Sequence, residues 1–192
     1  MPTPLRIVLA GCGGISAAWL NAIKSQADVE MVGFVDINLE AAQKRGSEYG
    51  WERALTSTDL AAVLSQTHPD IVFDCTVPEA HHPVTLTALA HGCHVLGEKP
   101  MSDSMSTARE MVAAAQKAGK LYAVTQTRRY DANIRRLRAF LDSGAIGDIT
   151  TVNADFYIGA HFGGFRDHMR HVLVLDMAIH TFDAARLICA QD

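Results

Sequence analysis

Two groups of residues in this sequence have the types and spacings that do chemistry. The first is Gly11-Cys12-Gly13-Gly14-Ile15-Ser16 together with Asp36. The glycine loop follows a short apolar run and opens a helical pattern. Gly11 permits a tight turn. Gly13 lets the backbone approach a pyrophosphate seated on the free N–H groups at the positive end of a helix, with Gly14 and Ile15 in the same loop. The third fingerprint position is Ser16, small enough for a helix to pack on a strand. Asp36 stands 20 residues after Ser16, at the end of the second apolar run. A carboxylate there accepts from a ribose 2′-hydroxyl and repels a 2′-phosphate, so NAD is expected over NADP. The alternative is a glycine turn without a ligand and a surface aspartate.

The second group is Asp176 and His180, four residues apart in a segment that reads as a helix, hence on one face. An imidazole near neutrality suits the removal of a hydroxyl proton, and a carboxylate beside it suits positioning of the ring or the substrate. The plainer reading is a helix N-terminal acid and a polar histidine. His168 and His171 lie just upstream and bring a metal to mind, but no HExxH or two-His-one-carboxylate motif is complete, and no metal is expected.

The elements that must position these groups alternate. Residues 6–11, 30–36, 70–76, 94–99 and 120–127 read as strands, continuously apolar as in a sheet covered on both faces. Residues 14–26, 39–49, 58–66, 83–91 and 104–118 read as helices between them. Ile15, Trp19, Leu20 and Ile23 share one face of the first, Ser57 or Thr58 is the expected N-cap of the third, and Pro78 is expected to break the chain before the fourth. This order means an α/β fold, a doubly wound parallel sheet. After residue 127 the texture changes to a charged helix over 131–143, a long strand over 149–158 with one wet face, a loop over 159–170 and a final helix over 172–190.

The 192 residues carry 17 Lys and Arg against 21 Asp and Glu, a net charge of −4 without a basic footprint, so neither nucleic acid nor an anionic membrane is an expected partner. The apolar run before Cys12 covers residues 7–10 alone, short of the roughly 7–15 apolar residues of a secretory signal. The four cysteines, at 12, 75, 93 and 189, have no CxxC spacing. A reduced cytoplasmic setting with buried thiols is the expectation.

Further segments carry a family resemblance: Cys75-Thr-Val-Pro78-Glu-Ala-His81-His82, Gly97-Glu98-Lys99-Pro100, Gln126-Thr-Arg-Arg-Tyr130 and Leu175-Asp176-Met-Ala-Ile-His180-Thr-Phe-Asp183. With the glycine loop, these resemble the Gfo/Idh/MocA family of NAD(P)-dependent sugar and polyol oxidoreductases over essentially the whole chain. The resemblance implies a Rossmann domain over residues 1–125. It also implies that residues 126–192 begin a substrate and dimerisation domain built on an antiparallel sheet. The implied activity is hydride transfer between a nicotinamide and a secondary alcohol or ketone of a sugar, inositol or similar polyol. Lys99, Asp176 and His180 would be catalytic: Lys99 polarises the substrate oxygen, His180 takes the proton and Asp176 positions. Thr76, Pro78, His81, Glu98 and Gln126 would line the ribose and nicotinamide side, and Arg128, Arg129 and Tyr130 would lie near the substrate. His81 as an exposed helix-start histidine is the equal alternative. The Lys99–Pro100 bond is implied to be cis.

The resemblance also implies relatives nearly twice this length that assemble as homo-oligomers. Where many of them have a glycine cluster before the DxxxH segment, this chain has His168-Met-Arg170-His171, which implies a different substrate pocket. A shortened chain that binds dinucleotide without turnover, or serves regulation, is the alternative function. On that reading strand 149–158 lacks neighbours, and the chain is expected to be less stable than a longer one and prone to associate.

Overall fold

The computed structural model describes residues 3–158 and 163–190. Two compact units divide the chain, Met1–Val124 and Thr125–Asp192.

The first unit is a six-stranded sheet with helices between its strands. In chain order it comprises β1 (Leu5–Ala10), α1 (Ser16–Ile23), β2 (Val29–Val35), α2 (Leu39–Glu48), β3 (Leu55–Ser57), α3 (Leu60–Thr67), β4 (Ile71–Asp74), α4 (Pro78–Ala90), β5 (His94–Gly97), α5 (Met105–Ala118) and β6 (Tyr122–Val124). All five pairings are parallel, in the order β3-β2-β1-β4-β5-β6. This is the expected doubly wound α/β sheet. The order reverses between β1 and β4, and ligands of such sheets bind outside the carboxyl ends of the strands at that reversal.

Side-chain alternation explains the two-sided core. Val8, Ala10 and Val72 join Val63, Leu64, Ala88 and Leu89 in one apolar cluster, which takes in α3 and α4. Ile7, Leu9, Phe34 and Phe73 join Leu20 and Ala42 in the other, which takes in α1 and α2. Successive residues of β1 therefore serve opposite faces, and burying both makes the strands read as unbroken apolar runs.

Several local expectations are corrected. β3 was not anticipated: its three residues are half-buried and carry no apolar alternation. The N-cap of α3 is Asp59, whose Oδ1 accepts from the Ala62 amide at 3.0 Å, while Ser57 Oγ accepts from the Asp59 amide. α4 starts at Pro78, five residues before the expected start. Proline fits the first helical turn, where its missing N–H would have had no intrahelical partner, and Pro83 is carried inside the helix. Ile15 is exposed and lies in the loop before α1 instead of on its packed face.

The second unit holds a 3₁₀ turn at Thr127–Tyr130, α6 (Ala132–Asp142), a 3₁₀ turn at Gly164–His168, a π turn at Leu173–Met177 and α7 (Ala178–Cys189). Residues 149–158 form no strand, which corrects that expectation: a strand exists through a ladder, and no described segment of this unit pairs with it. The expected loop 159–170 lies partly outside the described residues. The expected final helix is broken into the π turn and α7. Among the described residues, every fully buried apolar side chain belongs to the first unit. No described helix is long and apolar enough to cross a membrane.

Candidate functional site

The loop from β1 to α1 is fixed by its neighbours. Gly11 has φ +88°, and a Cβ there would stand 2.6 Å from the Cys75 carbonyl carbon and 2.7 Å from the Thr76 nitrogen, so both conformation and space demand glycine. Gly13 and Gly14 differ: neither has a positive φ, and an added Cβ would meet no protein atom within 4 Å. The fold itself does not require glycine at these two positions. Close approach of a ligand would, and a pyrophosphate fits that space. Ser16 is buried and its Oγ donates to the Gly13 carbonyl at 2.6 Å, which satisfies the hydroxyl at the third fingerprint position.

Asp36 lies just beyond β2. Its Oδ2 accepts from the Cys12 amide at 2.7 Å and its Oδ1 from the Asn38 amide at 2.9 Å. Each oxygen keeps a lone pair for a further donor such as a ribose hydroxyl. Arg45 of α2, which the sequence did not single out, donates to the carbonyls of Cys12 and Gly13 at 3.2 and 3.0 Å and pairs with Glu48. The Cys12 thiol is pushed up to about 12 by burial first, then by the Asp36 carboxylate, with Arg45 opposing. It is a packing residue rather than a nucleophile.

Thr76, Pro78 and His81 follow the end of β4, and Glu98 and Lys99 follow the end of its parallel neighbour β5. His81 is 2% exposed with its Nδ1 3.0 Å from Asp74 Oδ2, so the reading of an exposed helix-start histidine is excluded. Thr76 donates to Asp74 Oδ1 through its hydroxyl at 2.5 Å and its amide at 3.1 Å. Glu98 accepts from Trp19 Nε1 at 2.7 Å and from the Lys99 amide at 3.1 Å. The Lys99–Pro100 bond is cis. Asp74 was not anticipated, although an acid closing an apolar strand was a visible signal.

In the second unit Asp176 lies in the π turn and is 1% exposed. Its Oδ2 accepts from Arg166 Nε at 2.7 Å, and that guanidinium lies 4.6 Å from the Phe165 ring centre. Arg166 was not anticipated as a partner. His180 falls in the first turn of α7, so the four-residue spacing spans a change of helical pitch. His180, Arg128 and Asp131 line a groove of about 420 Å³ shared with residues 152–156. Arg128 lies 5.9 Å from the Phe156 ring centre, and Tyr130 is exposed. Arg129 Nε donates to Asp183 Oδ1 at 2.6 Å, a pairing with α7 that sequence did not foresee, though Asp183 stands three residues beyond His180. Gln126 keeps its side-chain oxygen buried. Among the described residues no group of three His, Cys, Asp or Glu side chains is arranged to hold a metal.

A doubly wound parallel sheet with a glycine loop after β1 and an acid after β2 is the arrangement of a dinucleotide-binding Rossmann fold. The family model described as "Oxidoreductase family, NAD-binding Rossmann fold" matches residues 5–126, and the GFO/IDH/MocA C-terminal domain matches residues 134–192. The chain belongs to the GFO/IDH/MocA oxidoreductase family. It is 30% identical over 192 residues to D-glucoside 3-dehydrogenase of Escherichia coli, covering 97% of this chain and 54% of that protein. The WlbA dehydrogenase of Bordetella pertussis, crystallised with NADH and UDP-GlcNAcA, aligns at 28% identity and TM-score 0.71 over 77% of this chain and 42% of that one. Myo-inositol 2-dehydrogenase of Lactobacillus plantarum has the same fold, with TM-score 0.84 at 21% identity over 99% of this chain and 57% of that one. The chain spans about half the length of the curated relatives it matches.

Proposed function

We propose that the protein is an NAD(P)-dependent oxidoreductase that moves a hydride between a nicotinamide and a secondary alcohol or ketone of a sugar, inositol or similar polyol. The observation that carries this reading is the pair Gly13 and Gly14, glycines the fold does not need, beside an Asp36 held by two backbone amides. Gly11, Gly13, Gly14 and Ile15 hold the pyrophosphate, and Asp36 takes the adenosine ribose and favours NAD over NADP. Thr76, Pro78, His81, Glu98 and Gln126 serve the nicotinamide side. The bound cofactor supplies the hydride acceptor or donor.

The remaining chemistry belongs to side chains. Lys99 donates to the substrate oxygen, His180 takes its proton, and Asp176, charge-compensated by Arg166, positions the ring or the substrate. Arg128, Arg129 and Tyr130 stand near the substrate. The names of the relatives support a carbohydrate or polyol substrate. The buried thiols of Cys12, Cys75 and Cys93 support a cytoplasmic setting. Titration of the chain with NAD⁺ and NADP⁺, followed by a panel of sugars and inositols, tests the reading. Binding of neither nicotinamide cofactor would overturn it.

A second reading, a dinucleotide-binding or regulatory module without turnover, is favoured by the second unit's lack of any fully buried apolar side chain among its described residues. NAD⁺ binding with no turnover, unchanged by Lys99→Ala, would favour it.

A further inference from the structure

The cluster beneath the carboxyl end of β4 holds a charge that the roles above leave unused. Asp74 is 1% exposed and pairs in register with Ala10, the residue before the glycine loop. It therefore stands on the two strands between which the sheet order reverses. Two Thr76 donors converge on its Oδ1, and the His81 ring faces its Oδ2. A carboxylate only accepts, so the ionised form is the one that suits these donors.

The histidine does not cancel that charge. His81 Nδ1 lies 3.0 Å from Asp74 Oδ2 and 3.3 Å from Thr76 Oγ1, and Asp74 Oδ2 is buried without a well-aligned hydrogen bond. His81 Nε2 is buried without a hydrogen-bond partner. A second proton there would bury a cationic N–H with no acceptor, the costlier state. With no acceptor for a second ring proton, the ring does not offset the Asp74 carboxylate.

The neighbours reinforce the sign. Glu98, next after β5, adds a second carboxylate, which accepts from Trp19 Nε1 and the Lys99 amide. Tyr122 of β6 also faces Asp74, its phenol pushed up to about 12 by burial first, with Thr85 opposing and Asp74 adding. The Cys75 thiol is raised by burial, then by Glu98, then by Asp74, so it registers both carboxylates.

We propose that Asp74, reinforced by Glu98, selects the redox state of the bound dinucleotide by favouring the cationic oxidised nicotinamide over the neutral reduced one. This rests on the reading of the site as a nicotinamide dinucleotide cradle. A buried unit charge about 5–10 Å from a nicotinamide would, at the effective dielectric of a protein, change the relative affinity of the two redox forms about tenfold or more.

Dissociation constants for NAD⁺, NADH and ADP-ribose, measured on the full chain and on Asp74→Asn, test it. ADP-ribose lacks the nicotinamide and reports on the rest of the cradle. The expected result is a rise of about tenfold in Kd(NAD⁺)/Kd(NADH), with ADP-ribose affinity held within about twofold. A merely structural role would weaken both redox forms alike, and that outcome, or no change in the ratio, overturns the proposal. If Asp74→Asn does not fold, Glu98→Gln must move the ratio in the same direction, and a static ratio there overturns it equally. Failure of the unaltered chain to bind any of the three ligands would instead sink the cradle reading on which the proposal stands.

Discussion

The Cys12 amide donates to Oδ2 of Asp36 across 2.7 Å, which ties the glycine loop to the acid proposed to accept from the ribose. Asp36→Ala removes both that tie and the ribose acceptor. It is expected to weaken NAD⁺ binding about 10–100-fold, since a hydrogen bond to a charged group contributes roughly 1.5–3 kcal/mol. It should also raise the affinity for NADP⁺ relative to NAD⁺, because the repulsion of a 2′-phosphate goes with the carboxylate. Calorimetric titration with each cofactor checks this. An equal loss for both would mean that Asp36 acts on the loop alone.

The glycines of the same loop separate folding from binding. Gly11→Ala drives a methyl against the Cys75 and Thr76 backbone at a positive φ, and is expected to cost about 2–5 kcal/mol of stability. Gly13→Ala meets no protein atom, so its urea midpoint should correspond to a change within about 0.5 kcal/mol. Its dinucleotide affinity should nevertheless fall about tenfold or more, through the clash with the pyrophosphate. A Gly13→Ala chain that binds normally would remove the main support for a ligand at this loop.

Asp183 and Arg129 couple α7 to the turn that precedes α6, at 2.6 Å and with both side chains largely shielded. Asp183→Asn is expected to lower stability by about 1–3 kcal/mol, and a double-mutant cycle with Arg129→Met should return a positive coupling. If Arg129 instead serves only the substrate, its replacement would raise KM with no change in the unfolding midpoint. The cycle would then show independence.

Raised thiol and phenol values make a prediction in pH. Cys12 goes from 9.0 to about 12, and Tyr122 from 10.0 to about 12, both through burial first. For a group whose folded value is raised, the stability is complete below the unfolded value and is lost as pH climbs toward the folded one. The chain should therefore hold its stability to about pH 9 and then lose up to about 1.4 kcal/mol per pH unit for each such group. Urea midpoints at pH 7, 9 and 10.5 would reveal the slope, and Cys12→Ala should flatten it. At pH 8 a thiol reagent should modify the half-buried Cys189 in the native chain and all four cysteines only in denaturant.

The first unit was legible because its strands are buried on both sides. Ile7 to Ala10 leave no ambiguity about a covered strand, and Gly11 and Asp36 punctuate the two strands that matter for a dinucleotide. What escaped lay where local chemistry has two equivalent solutions. Ser57, Thr58 and Asp59 can each cap a helix, and β3 ends within the same cluster. Pro78 can end a strand or begin a helix, and here it does the latter. The site was half legible for a different reason. Residues in the motifs were visible, whereas Arg166 and Asp183 act on other side chains, and pairings 10 and 54 positions apart leave no local pattern. The segment 149–158 failed because its alternation describes a face, and a face becomes a strand only beside a partner.

That segment leads to the last prediction. Val152, Phe156 and Ile158 are exposed, as are Leu173, Val174 and Phe182, whereas Ile7 to Ala10 of β1 and Val72 and Phe73 of β4 are buried. Hydrophobic burial is the main favourable term in folding, so the unit holding the core should open last. Limited trypsin digestion of the intact chain should cleave first at arginines in the second unit, such as Arg135 and Arg170, and leave a resistant fragment reaching to about residue 128. Size exclusion at rising concentration should show association through the exposed apolar side chains. NAD⁺ should slow digestion of the resistant fragment more than it slows the early cuts, because the cradle from Gly11 to Asp36 lies wholly within the first unit. Early cleavage inside residues 5–124, or a monomer at every concentration with uniform resistance, would contradict this ordering.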